Sequence, residues 1–226
     1  MLNTTKRLKS YICHGRATPG QKRILQGYWA QSGIVYPKEI IDFVALFGRD
    51  APLHIEIGFG FGHSLLAVAK QNPQNNYIGI EAHRPGIGSV CMGIEQEQLT
   101  NLRIIQSDAV EVLEKCVLDN VLSGVQIFFP DPWPKRRHQP RRIIQSEFIK
   151  LVVQKLKQGG EIHLATDWED YAVHMMKVMS NEVQLRNTAG DRKYAQRSVA
   201  RPVITKYEAK AIREKRNIVD LHFIKR

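Results

Sequence analysis

Cysteine is scarce: Cys13, Cys91 and Cys116 are odd in number and none has a metal-ligand spacing. No disulfide framework or structural zinc site is expected, and the three read as reduced thiols of a cytoplasmic protein. His83, His138, His163 and His174 also lack ligand spacing, so no metal is expected. No apolar stretch approaches the length of a membrane span, and the first residues lack the apolar core of a signal peptide. Internal repeats and low-complexity tracts are missing too. Acid is thin in two zones. Residues 1–23 hold six Lys/Arg and no acid, and residues 192–216 hold nine Lys/Arg against Glu208 and Glu214. What is present is positive charge: 33 Lys+Arg against 22 Asp+Glu give 33 − 22 = +11, with a pI near 9.7. An anionic partner follows, and nucleic acid fits better than a membrane surface.

Residues 1–33 are polar, basic and aperiodic, which predicts a partly mobile arm ahead of a single domain over 34–226. Residues 38–47 fit a short helix ending at Gly48. From Leu53 onward strand and helix alternate. Strands are predicted at 53–57, 76–81, 102–106, 125–129 and 161–165, and helices at 64–70, 85–99, 109–117, 142–156 and 169–179. Five βα units in a row imply an α/β fold with a mostly parallel sheet and helices on both faces. Residues 183–186 and 219–224 would close it as a hairpin-like edge, making seven strands.

Ligands of such sheets bind beyond the carboxyl ends of the strands, at the point where the strand order reverses. Glu56, Glu81, Asp108, Asp131 and Asp167 all fall at strand ends. The turn after the first of these strands reads Gly58-Phe59-Gly60-Phe61-Gly62, and His63 stands where a dinucleotide fingerprint needs its last glycine. Glu56 would repel a pyrophosphate but suits a ligand carrying an ammonium or a sulfonium. Glu81 suits ribose hydroxyls, and Asp108 could accept from an adenine amino group. Together they describe an adenosine with a cationic amino-acid tail, S-adenosyl-L-methionine. Taken singly, each acid is better explained as a solvated loop carboxylate.

The stretch Phe128–Arg142 reads F-F-P-D-P-W-P-K-R-R-H-Q-P-R-R. Prolines on both sides of Asp131 end the strand and stiffen the loop. It offers a carboxylate, an indole and a cationic tail, suited to base-edge donors, a planar base and phosphates. Trp133 either stacks on a base or packs against the sheet rim. Trp168 and Tyr207 read as core or rim aromatics.

These motifs, with G-I-E-A-H at 79–83, A-T-D-W at 165–168, R-P-V-I-T-K-Y-E at 201–208 and V-D-L-H-F at 219–223, resemble the bacterial tRNA (guanine-N7-)-methyltransferase family. The likeness extends to G-R-A-T-P-G-Q at 15–21 and covers nearly the whole chain; the P-D-P-W element is its most specific part. The resemblance implies a Rossmann-like class I methyltransferase fold that methylates N7 of guanosine 46 in the tRNA variable loop. It implies a donor site built from Glu56, Gly58, Gly60, Gly62, Glu81, Asp108 and Asp131, with Asp131 catalytic. Lys135, Asp167, Thr205, Lys206, Tyr207 and Glu208 would contact the target guanosine, and Arg137, His138, Arg141 and Arg142 the RNA. The chain departs from the family pattern at Ile204, an extra residue, at Pro134, often His, and at residues 213–217, commonly holding a Gly-His pair.

Guanine N7 has a lone pair and no hydrogen, so Asp131 would act by placement and charge, on the donor or on the guanine edge, helped by Asp167 and Glu208. A methyltransferase of another base or of DNA, and a non-catalytic RNA-binding module, remain as rivals. The partner expected is tRNA, with no membrane, and the protein a cytoplasmic monomer or homodimer.

Overall fold

The computed structural model describes residues 29, 32–34, 36, 38–197 and 201–226. The expected arm and the 15–21 motif lie almost wholly outside the described residues. Among those described, no helix is long and apolar enough to cross a membrane.

Apolar runs form the middle of one sheet. β1 (Gly33–Ile34), β2 (Leu53–Ile57), β3 (Asn76–Glu81), β4 (Leu102–Gln106), β5 (Leu122–Phe128) and β6 (Leu156–Thr166) run parallel. β3 is buried from Asn76 to Ile80, as a central strand covered on both faces must be. Between the strands lie α1 (Phe43–Phe47), α2 (His63–Gln71), α3 (Arg84–Gln96), α4 (Ala109–Cys116) and α5 (Ser146–Lys155), followed after β6 by α6 (Glu169–Ser180). Leu65 and Val68 of α2 pack with Ile87, Val90 and Ile94 of α3 in one cluster. Val112 and Leu113 of α4, Phe148 and Val152 of α5, and Met175 and Met179 of α6 belong to a second, larger one.

The sheet has eight strands in the order β1-β4-β3-β2-β5-β6-β8-β7, where β7 is Leu185–Asn187 and β8 Val219–Lys225. β8 lies antiparallel between β6 and β7. The chain winds outward from β2 to β4, then returns to the other flank of β2 for β5. The reversal opens a crevice over the carboxyl ends of β2 and β5.

Several predicted boundaries differ for identifiable reasons. The eighth strand is the Gly33–Ile34 pair beside Ile104 and Ile105, too short to show a period. α1 begins only at Phe43, where Asp42 caps Ala45 N at 2.9 Å. β6 starts at Leu156, which pairs with Leu122 before the register shifts. The helix expected from 142 begins at Ser146, after a 3-10 turn over Arg136–Arg141. α7 (Lys206–Arg213), capped by Thr205, falls in a stretch to which the sequence pattern assigned no element.

Candidate active site

The crevice at the reversal is open to solvent, encloses about 160 Å³, and is lined by Glu81, Asp131 and Trp133 with the apolar Ile80, Ala109 and Ile127. A concave apolar lining with a few converging polar groups is the pattern of a small-molecule site.

Glu56 precedes the glycine turn and is buried, and its Oε2 has no hydrogen-bond partner. Burial, and then the neighbouring Glu81, push its carboxyl up to about 8. Glu81 ends β3 and organises the turn: Oε2 accepts from Gly60 N at 2.9 Å, Oε1 from Ala82 N at 2.7 Å and His83 N at 2.9 Å. The turn itself needs left-handed backbone, with φ of 74° at Gly58, 58° at Gly60 and 72° at Gly62. It also needs room. A β-carbon on Gly86 would come 1.8 Å from the Gly60 carbonyl oxygen, so α3 lies directly against the turn. Asp108 caps α4, its Oδ1 accepting from Val110 N at 2.9 Å and Glu111 N at 3.3 Å.

On the opposite wall, Phe129 takes a φ of 51° and Trp133 one of 42°, strained values that turn the chain sharply around the exposed Asp131. The Trp133 indole carries the Arg141 guanidinium 5.0 Å from its centroid and meets the His138 ring edge-on. One face of the indole is thus packed within its own loop. Lys135, Arg136, Arg137 and Arg141 are exposed. Partial burial, then Arg141, Arg137 and Lys135, hold the His138 pKa below its ordinary value.

Arg142 corrects the expectation of an RNA contact. It is 1% exposed, donates from Nε to Pro132 O at 2.9 Å, pairs with Asp170 and lies 4.7 Å over the Tyr171 ring. A guanidinium so enclosed supports the loop from beneath and cannot reach a phosphate.

The expected nucleoside-side residues gather on α7 and at the end of β6. Lys206 and Tyr207 are exposed, and Tyr207 Cε2 would lie 3.8 Å from a β-carbon on Gly60, so α7 overhangs the glycine turn. Thr205 is spent on capping, its Oγ1 accepting from Glu208 N at 3.2 Å. Asp167 pairs with Arg216 at 3.0 Å. Glu208 is turned inward and 2% exposed, paired with Arg197 at 3.0 Å and Arg201 at 2.9 Å, which is no surface for a base edge.

Sequence reasoning assigned no role to Arg201, Asp220, His163, Arg216 or Asp170. Most of the partners that place them are distant in sequence, 57 residues apart for His163–Asp220 and 28 for Arg142–Asp170, so no local pattern announces them.

Comparison with known proteins supplies the context. A family model described as "Putative methyltransferase" matches residues 50–221. A tRNA (guanine-N(7)-)-methyltransferase of Pectobacterium atrosepticum is 48% identical over 219 residues, 96% of this chain and 91% of that protein. The solved 16S rRNA methyltransferase KamB superposes with a TM-score of 0.60 at 14% identity, over 83% of this chain and 94% of its own. SMU.1697c of Streptococcus mutans, solved in complex with SAH, gives 0.52 at 11% identity, over 78% of this chain and 90% of its own. At such identities the two structures speak for the fold alone.

Proposed function

The chain belongs to the tRNA (guanine-N(7)-)-methyltransferase family and methylates guanine N7 in tRNA; from that premise we propose that the methyl donor is S-adenosyl-L-methionine and the target guanosine 46 of the variable loop. The observation that carries the donor reading is Glu56. A buried carboxyl with an unpartnered oxygen beside a second acid suits an ammonium group, which brings both the missing donor and the opposite charge. Glu81 would accept ribose hydroxyls and the apolar Ile80, Ala109 and Ile127 would flank the adenine; Asp108, which stands between the lining residues Ser107 and Ala109, would meet its amino group.

When bound, the donor supplies an electrophilic methyl group on a positively charged sulfur. Guanine N7 presents its lone pair in the ring plane without a proton, so the protein removes none. Its task is alignment, and holding two reactants in line can supply roughly 7–11 kcal/mol of the barrier. Asp131, on a stiffened loop at the cleft, provides a fixed negative charge as positive charge passes to the purine. Asp167, Lys135 and the segment Thr205, Lys206, Tyr207 surround the nucleoside side. Glu208 contributes by holding α7. Arg137, His138 and Arg141 take phosphates.

The test is to methylate an unmodified tRNA transcript with isotopically labelled donor and map the product nucleoside. 7-Methylguanosine at position 46 is expected, and Asp131→Asn should lower turnover by about 10²-fold or more. Label on another base, or on DNA, would overturn the assignment.

A further inference from the structure

One guanidinium joins the two walls of the cleft. Arg201 is 1% exposed. It holds Asp220 of β8 with both ends of a fork, Nε to Oδ1 at 3.0 Å and Nη2 to Oδ2 at 2.6 Å. Its Nη1 lies 2.9 Å from Oε1 of Glu208 in the first turn of α7. Its carbon sits 5.8 Å from the Phe128 ring and 5.4 Å from the Phe129 ring, at the end of β5. Phe129 is the left-handed residue that redirects the chain toward Asp131, and its N–H is fixed on Ala165 O at 2.8 Å. Arg201 thus touches β8, α7 and the root of the Asp131 loop at once.

The surrounding charges balance. Arg197 and Arg201 face Asp220 and Glu208, and His163 Nε2 completes Asp220 at 2.7 Å. Burial works to raise the Asp220 carboxyl, but the His163 and Arg201 hydrogen bonds outweigh it and hold the carboxyl low. Buried ion pairs of this kind are poor sources of stability, because desolvation consumes most of the Coulombic gain. A network linking three separate elements of one site is better explained by the geometry it enforces.

We propose that Arg201 is a positioning residue, which locks the Asp131 loop and helix α7 into one unit and so sets the distance between the donor-side carboxylate and the nucleoside-side residues. The inference rests on the proposed function of the cleft for its catalytic consequence, though not for the coupling itself. Arg201 touches no reacting atom. It acts through Phe129 on one side and Glu208 on the other.

Arg201→Lys keeps a charge but loses the fork. Affinity for S-adenosylhomocysteine and KM for tRNA should stay within about threefold of the wild type, while kcat falls by about tenfold or more, as misplacement of a reacting pair requires. Hydrogen exchange should quicken together in residues 129–134 and 206–213, and stay unchanged in β2, β3 and β4. Arg201→Ala should regain part of its kcat in millimolar guanidinium and none in tetramethylammonium. If the alanine variant does not fold, Asp220→Asn, which removes one side of the fork, should repeat the exchange pattern. An unchanged kcat in Arg201→Lys overturns the proposal, as does exchange that rises in one segment alone or across the whole sheet. The exchange readout needs no RNA, so wild-type protein that methylates no tRNA guanine would sink the proposed function while the coupling is still decided.

Discussion

A carboxyl group shut away from water, with one oxygen unpartnered, resists ionisation until a cation arrives. Glu56 is such a group: it binds its proton up to about pH 8 in the folded chain, against 4.5 for the ordinary side chain. The folded state therefore holds a proton that the unfolded chain has already released. Stability contributed by Glu56 is full below about pH 4.5 and is lost as pH rises toward 8. Glu56→Gln should flatten this decline in a series of thermal melts across that window. An ammonium beside Glu56 reverses the preference, so donor binding at pH 7 should expel about one proton. Calorimetry in buffers of different ionisation enthalpy reads that number directly, and a value of zero would mean that Glu56 does not meet the cation. In the glutamine variant no proton should be released and affinity should fall.

At the scale of elements, the proposed donor site depends on how closely α3 approaches the glycine turn. Gly86→Ala places a methyl group against a backbone oxygen, which cannot swing aside as a side chain would. The helix must shift, and overpacking of this sort costs about 1–3 kcal/mol. The expected result is a lower melting temperature together with a larger loss of donor affinity, because Gly60 and Glu81 move with the turn. Gly48→Ala at the end of α1, where φ is 68° and nothing lies within 4 Å, serves as the comparison: backbone strain should lower its melting temperature too, but donor binding should stay unchanged. This approach of Gly86 to Gly60 was not legible in the sequence, whereas the turn itself was. β2 to β5 were readable because their apolar runs are buried on both faces and end at acids or turns. α7 was not, since only Glu208 and Ala211 of its eight residues are buried, one of them a charged side chain, so little apolar surface marks it. Arg142 was misjudged for the opposite reason. It stands in a run of exposed cations, and only the fold places Asp170 and Tyr171 around it.

Over the whole molecule, the excess of positive charge should govern RNA affinity through release of counterions. Replacing Lys135, Arg137 and Arg141 together by alanine should weaken tRNA binding at low salt and lower the log–log salt slope by about one for each phosphate no longer neutralised. Arg142→Ala should behave differently, depressing the melting temperature with the salt slope unchanged. Equal slopes for the triple variant and the wild type would remove the basic loop from the interface.

The position of β8 sets an order of assembly. It is synthesised after β7 yet lies inside it, and it carries Asp220 to the fork of Arg201. Until residues 219–225 leave the ribosome, β6 presents an open apolar edge and α7 lacks its link through Arg201 to Asp220. A chain stopped before Val219 should aggregate, which light scattering of the truncated product would register. The proposed donor half of the cleft, made from β2 to β5, is complete long before. A nascent chain would thus acquire the proposed cofactor pocket early and the proposed nucleoside pocket last.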